Sequence, residues 1–309
     1  IFTVANAAGK AVRLENLVLT RGGRGLVKTG AGDIGLYNCG FIGNRARSSN
    51  LNGIGVSLTG SATTHAVISN CVIAGNTSGY TTFGNGQGLY LSTFADVRIE
   101  DSLFVTNGIA WTGANFWNEG RDGQVASAIY VTGAPVTAKR CRFFANRGSC
   151  YSSRGSTVRV CGASGGSRFE HCRWVGNEED YHWFDTSTPV GGSYSGQLVL
   201  DLANATDTVT VKNCTMAYNH TGNALSGAGL TVVKGKAVVS DSIIAHNFRG
   251  TTCTVGADLC LLSANAYADV SYSMFTTNDI VSVTSSIGNN LNLSGNIVYS
   301  DPKFVTAVG

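Results

Sequence analysis

Two stretches of the chain concentrate side chains able to do chemistry. The first contains Trp111, Phe116, Trp117, Asn118, Glu119, Arg121 and Asp122. The second runs through Glu178, Glu179, Asp180, Tyr181, His182, Trp183, Phe184 and Asp185, and Arg147, Tyr151 and Arg154 stand between the two. Aromatic planes stack on pyranose rings, and carboxylates or guanidinium groups hydrogen-bond sugar hydroxyls. On that reading Trp111, Phe116, Trp117, Glu119, Arg121, Tyr151, Tyr181 and Trp183 form a glycan-contacting face. The competing reading is that the aromatics pack long loops back onto the body of the protein.

The same residues suffice for cleaving a polysaccharide. Hydrolysis requires two carboxylates at a defined separation. β-Elimination wants a base such as Arg or Lys, commonly beside a Ca²⁺ ion held by several carboxylates. If the chain is an enzyme, the catalytic set is Glu178, Glu179, Asp180 and Asp185 with His182 and Arg154. The acidic run 178–180 is also a weak Ca²⁺ candidate, although adjacent charges on a loop are ordinarily just solvated. No other cofactor or metal is expected, because no Asp recurs at one strand position to build a metal-binding wall. His65, His171, His220 and His246 are dispersed and read as surface or turn residues.

These stretches interrupt a repeat. The pattern apolar-x-apolar-x-x-(Cys/Ser/Leu)-x-apolar-x-x-(Asn/Gly) recurs nine times, for example as Ile34, Leu36, Cys39, Phe41, Asn44 and as Val136, Ala138, Cys141, Phe143, Asn146. Within each copy the apolar residues alternate, as one buried strand face requires, with a single phase break that reads as a bend between two short strands. A further strand signal precedes each Cys/Ser position, as in Leu89/Leu91 and Ile129/Val131, often after small residues such as Gly86-Gln87-Gly88. The closing Asn fits a left-handed turn, and Gly22 replaces it in the first copy. Three short strands per repeat predict a right-handed, single-stranded parallel β-helix of nine to ten coils, an all-β solenoid. It spans residues 1–309 as one domain, read as a segment of a longer exported chain. The two longest spacings, 39 residues from Asn107 and 42 from Asn177, mark the loop insertions. The insertions and the loop between them should leave the same turn, with roots about 10 Å apart over two strand spacings.

The nine Cys divide into two groups. Cys39, Cys71, Cys141, Cys172 and Cys214 share one inward position and read as a stack of small buried residues. Cys150 with Cys161, and Cys253 with Cys260, are disulfide candidates that would staple a loop to the next strand in an oxidising compartment.

Composition removes other classes. A formal charge of +3 with scattered Lys and Arg gives no electrostatic case for nucleic acid. No run approaches the roughly 18 apolar residues of a membrane-spanning helix, and Ile1 opens directly into strand-like sequence without a signal peptide. Five Asn-x-Ser/Thr acceptor matches follow from an Asn-, Ser- and Thr-rich composition.

The closing segments Phe41-Ile-Gly-Asn44, Phe104-Val-Thr-Asn107, Phe143-Phe-Ala-Asn146 and Phe275-Thr-Thr-Asn278, with the small-x-small-apolar segments, resemble the repeats of bacterial polymorphic outer-membrane proteins. They are similar also to the broader pectate-lyase-like class of right-handed β-helix surface proteins. Asp301-Pro302-Lys303-Phe304 resembles the Asp-Pro-x-Phe that follows the last coil in secreted members. The chain departs from the autotransporter arrangement in having no C-terminal barrel. It also lacks the Asn-Thr-Asp, Asp-Asp and Gly-His set of polygalacturonase-like β-helices. The resemblance implies an exported, extracellular or cell-surface rod acting as adhesin or scaffold, with a polysaccharide or a host or neighbouring cell surface as partner. The alternatives are a polysaccharide lyase or glycoside hydrolase on the same loop face, and a filament module associating end to end through open solenoid ends.

Overall fold

The structure is a computed structural model that describes residues 1–46, 51–78, 84–109, 125–149, 155–162, 165–180, 195–221, 227–249, 254–255, 258–276, 280–282 and 290–300. Among these residues the chain is all-β, without a helix. Its strands form sheets of nineteen, ten and eight strands. The largest contains two ladders joined by the long strand Leu230–Ser240. Strands such as Leu89–Ser92 make the first ladder, and strands such as Asp96–Glu100 the second. Leu103–Val105 lies in the ten-stranded third sheet and Gly108–Ile109 in the eight-stranded fourth. Nearly every strand pairs in parallel with its counterpart in the next repeat, an arrangement compatible with a β-solenoid. The exception is Thr254–Val255, which pairs antiparallel with Phe248–Arg249.

The alternation read from the sequence is the alternation observed. Val12, Ile34, Ala66, Val97, Val136, Ser167, Val209, Ala237 and Ala268 follow one another in register on the second ladder. On the third sheet the inward position is occupied by rings over part of its length. Phe104, Phe143 and Trp174 stack at centroid distances of 5.1 and 4.9 Å with their planes nearly parallel, and Trp174 is fully buried. Such offset stacks add to the area the rings bury.

The phase break between second and third sheets is a single residue in the left-handed region. Asn38, Asn70, Asp101, Arg140, His171, Asn213, Asp241 and Tyr272 all carry φ between 47° and 56° there. The next residue is the Cys/Ser position, and its chemistry follows from the bend. Cys71 Sγ donates to the Ser69 carbonyl at 3.3 Å, and Ser102 Oγ to the Glu100 carbonyl at 2.8 Å. Either side chain fills the small inward space and gives a second donor to a carbonyl that already accepts a backbone N–H from the preceding repeat, Asn38 N–H on Ser69 at 3.1 Å and Asn70 N–H on Glu100 at 3.0 Å.

Two expectations are corrected. The seven repeats that close at Asn44 to Asn247 each have a fourth strand, two or three residues long, after the Asn, which is too short to show alternation. The closing Asn does not take the left-handed conformation either; the residue before it does, as at Gly43, Gly75, Thr106, Ala145, Gly176, Tyr218 and His246. The Asn side chain points inward instead and is buried at all seven described positions from Asn44 to Asn247. Each Nδ2 donates to the next Asn Oδ1 at 2.8–3.1 Å across the six successive pairs. It also donates to a third-sheet carbonyl of the preceding repeat at 2.7–3.1 Å. Each Oδ1 in turn accepts a backbone N–H from the repeat before, at 2.9–3.2 Å. Buried polar groups must be paired, and no shorter or longer side chain closes the same circuit.

Candidate functional site

Glycines of the small-x-small segments lie against this ladder. A Cβ on Gly55 would sit 2.8 Å from Asn76 Nδ2, and one on Gly88 3.2 Å from Asn107 Cγ. The amide ladder therefore packs directly against the start of the first sheet. Every long insertion enters and leaves at this edge, between a fourth-sheet strand and the following first-sheet strand.

Residues 110–124 stand between Gly108–Ile109 and Val125–Thr132, residues 150–154 between Arg147–Ser149 and Gly155–Cys161, and residues 181–194 between Glu178–Asp180 and Gly196–Asp201. The fourth-sheet strands pair Gly108 with Arg147 and Arg147 with Glu178, so the three segments depart from adjacent strands. The first-sheet strands that receive them are likewise paired. Trp111, Phe116, Trp117, Glu119, Arg121, Tyr151, Arg154, Tyr181, His182, Trp183 and Asp185 lie outside the described residues.

Of the candidate acids, Glu178, Glu179 and Asp180 fall on a strand rather than in a loop. Glu178 is bound by Arg147, whose Nε donates to Oε2 at 2.8 Å while Nη2 contacts the same oxygen. Both side chains are a little over one-third exposed. His220 follows Glu178 in register on the next strand. The column Arg147, Glu178, His220 is the one set of acid and base groups that the described residues place at the loop roots.

The outer face of the first sheet is closed to solvent over several strands. Tyr130 is 7 % exposed and Arg159 1 %, while Val199, Thr231 and Cys260 are fully buried. These five residues follow one another in register. Arg159 Nη2 donates to Asp201 Oδ2 at 2.8 Å, and Tyr90 stacks on Tyr130 with ring centroids 5.8 Å apart. Burial raises the Tyr130 hydroxyl above its ordinary range. Sequence reasoning missed this face because Tyr, Arg, Val, Thr and Cys alternate with the inward residues without a common type. It missed also the polar edge beside it, where Thr157 Oγ1 donates to Gln197 Oε1 at 2.5 Å and Thr231 Oγ1 to the Ser195 carbonyl at 2.7 Å. A polar residue inside a small-x-small segment was the signal available.

No family model matches the chain, and no curated protein and no solved structure matches it. Among the described residues no group of three or more His, Cys, Asp or Glu is arranged to hold a metal ion.

The inward Cys column is as expected: Cys39, Cys71, Cys141, Cys172 and Cys214 are all buried thiols. No disulfide occurs among the described residues. Cys161 is a thiol donating to the Val131 carbonyl at 3.5 Å, and Cys260 is buried on the outer face of the first sheet. Their expected partners Cys150 and Cys253 lie outside the described residues. One further group went unforeseen. Lys28 occupies an inward position in register with Val4 and Leu58 and is fully buried. Its Nζ donates to the Gly30 and Thr59 carbonyls at 2.5 and 3.0 Å, and burial lowers its pKa.

Proposed function

We propose that the chain is a right-handed, single-stranded parallel β-helix of ten coils, and that it serves outside the cell or on its surface as a non-enzymatic adhesin or fibre scaffold. The observation that carries this reading is the in-register parallel pairing of each repeat with the next along the ten-stranded third sheet. That pairing is tied together internally by the amide ladder. A stack in which each unit contacts only its neighbours is a long, stiff element by construction. Its chemistry is devoted to holding the stack: amides to amides, thiols to carbonyls, and Lys139 to Glu170 across one repeat step at 3.1 Å. Glu178, the one candidate acid whose side chain is described, is held by Arg147. The outer face of the first sheet beside it is buried from Tyr130 to Cys260.

On this reading the glycan-contacting residues are the aromatics of segments 110–124, 150–154 and 181–194, presented side by side from adjacent strands. The test is a glycan array run beside a polysaccharide panel followed by ultraviolet absorbance and reducing-end assays. We expect binding to a glycan class, loss of that binding in the Trp117→Ala and Trp183→Ala variants, and no product release. Unsaturated products or new reducing ends would replace the scaffold reading with a lyase or hydrolase.

A further inference from the structure

The outer face of the third sheet is apolar where a strand face turned to water is ordinarily polar. Val18, Ile42 and Val72 are 64 %, 38 % and 37 % exposed on it. The half-buried Val105, Phe144 and Val175 continue the strip on three successive strands. Beside Phe144 and Val175, Arg142 and Arg173 stand directly opposite each other on adjacent parallel strands, both exposed. Like charges in that relation destabilise a sheet. Nearby acids are engaged elsewhere: Asp101 accepts two nitrogens of Arg140 at 2.6 and 2.7 Å, Glu170 binds Lys139 at 3.1 Å, and Glu178 binds Arg147. Among the described residues neither Arg142 nor Arg173 has an acidic partner.

We infer that this strip is a docking surface for an extended segment of a partner protein whose aliphatic face ends in acidic side chains. Size argues first. Ten strands of about three residues, at about 3.3 Å per residue and 4.8 Å per strand, give a strip roughly 40 Å long and 400 Å² in area. A stable globular interface uses about 800 Å² a side, whereas one extended chain is accommodated. Shape and chemistry argue next. Branched aliphatic side chains suit aliphatic partners better than the flat faces of sugars, and no Trp or Tyr turns outward on the strip to anchor it at a lipid interface. Charge argues last: guanidinium groups pair with carboxylates through two hydrogen bonds each. The outward positions carry no acid of their own, so a second copy packed face to face leaves the two arginines unneutralised. The glycan face leaves from the fourth sheet, and this strip does not depend on it.

The probe is a fluorescein-labelled peptide with Ser on one face and, on the other, three Val followed by two Glu, titrated with the full chain and read by anisotropy. Saturable binding is expected, weakening as salt is added and about tenfold or more weaker in the R173E variant. The same variant places a carboxylate opposite Arg142, so its Tm is expected to stay at or rise above that of the wild type. The conservative R142Q and R173Q variants should each weaken binding by a smaller factor. Equal binding of the peptide with Lys in place of Glu would overturn the inference. So would undiminished binding by R173E, or no saturable binding of the Glu peptide, whether or not phosphatidylglycerol vesicles bind.

Discussion

Asn247 donates its side-chain amide to the carboxylate of Asp258 at 2.8 Å, and there the run of amides passes to a different residue type. Asp258 sits at the first-sheet edge position that Gly229 holds one repeat earlier. Instead of leaving room for the ladder it reaches into it, and its other oxygen accepts the Thr276 backbone N–H at 2.8 Å. A carboxylate has only acceptors, so it terminates a line of amides that all point their donors toward it. At the opposite end, Gly22 N–H donates to Asn44 Oδ1 at 2.9 Å. Gly22 thus closes the ladder with a backbone group where no side chain is needed.

Removing that terminus should be costly. Asp258→Ala leaves a buried side-chain donor and a backbone N–H without acceptors, and we expect a loss of about 2–4 kcal/mol in urea unfolding. Asp258→Asn keeps one acceptor and should lose less. A cost under about 0.5 kcal/mol for the alanine variant would show that the cap is dispensable.

Within the ladder, Asn146→Ala leaves one side-chain N–H of Asn107 and the Asn107 backbone N–H without an acceptor and removes a donor from the Phe104 carbonyl in one step. The expected destabilisation is about 3 kcal/mol or more. Hydrogen exchange should speed up first at the amides of the repeats on either side, because stability in such a stack is local to neighbours.

The left-handed positions before each Asn make an opposite prediction. Ala145 and Thr106 hold φ of 48° and 52°, where three of the equivalent residues are Gly. Ala145→Gly and Thr106→Gly should each stabilise the fold by up to about 1 kcal/mol, and Gly75→Ala should destabilise it by a similar amount. Thermal melts of the three variants check the sign.

Burial pushes the Cys71 thiol up from 9.0 to about 11. A folded-state pKa above the unfolded one contributes stability below pH 9 that is lost as pH rises through that window. Lys28, lowered by burial, acts with the opposite sign. Wild type and Cys71→Ser, compared by denaturant unfolding under reductant, isolate the thiol. The difference between them should shift in favour of the serine variant from pH 9 to 11. The serine itself should fit, since Ser102, Ser242 and Ser273 make the same bond to the carbonyl two residues back.

The sheet-forming logic was legible wherever side-chain type repeats in phase. Cys39, Cys71 and Cys141, or Phe104, Phe143 and Trp174, betray their column because each sits at a fixed distance from a bend. The role of Asn was not legible. A left-handed turn and a buried amide ladder both favour Asn, and the residues before it (Gly43, Thr106, Tyr218) share no type that would have drawn attention to the turn. The fourth strand escaped because two residues cannot alternate. Asp258 escaped because its meaning depends on Asn247, eleven positions earlier and brought beside it by the fold. At the loop roots, the departure of three insertions from one edge was legible from the spacings of Asn107, Asn146 and Asn177. The pairing of Arg147 with Glu178 was not, because it crosses from one repeat to the next.

Parallel in-register stacking underlies all of this, and zero-length carbodiimide crosslinking with peptide mass spectrometry reads it directly. Lys139 lies 3.1 Å from Glu170, and Lys236 lies 2.5 Å from Asp269, each pair one repeat apart. Those two crosslinks are expected to dominate the native chain and vanish in urea. Links joining Lys139 to Asp269, or Lys236 to Glu100, would join strands that the stack holds several repeats apart, and would contradict it.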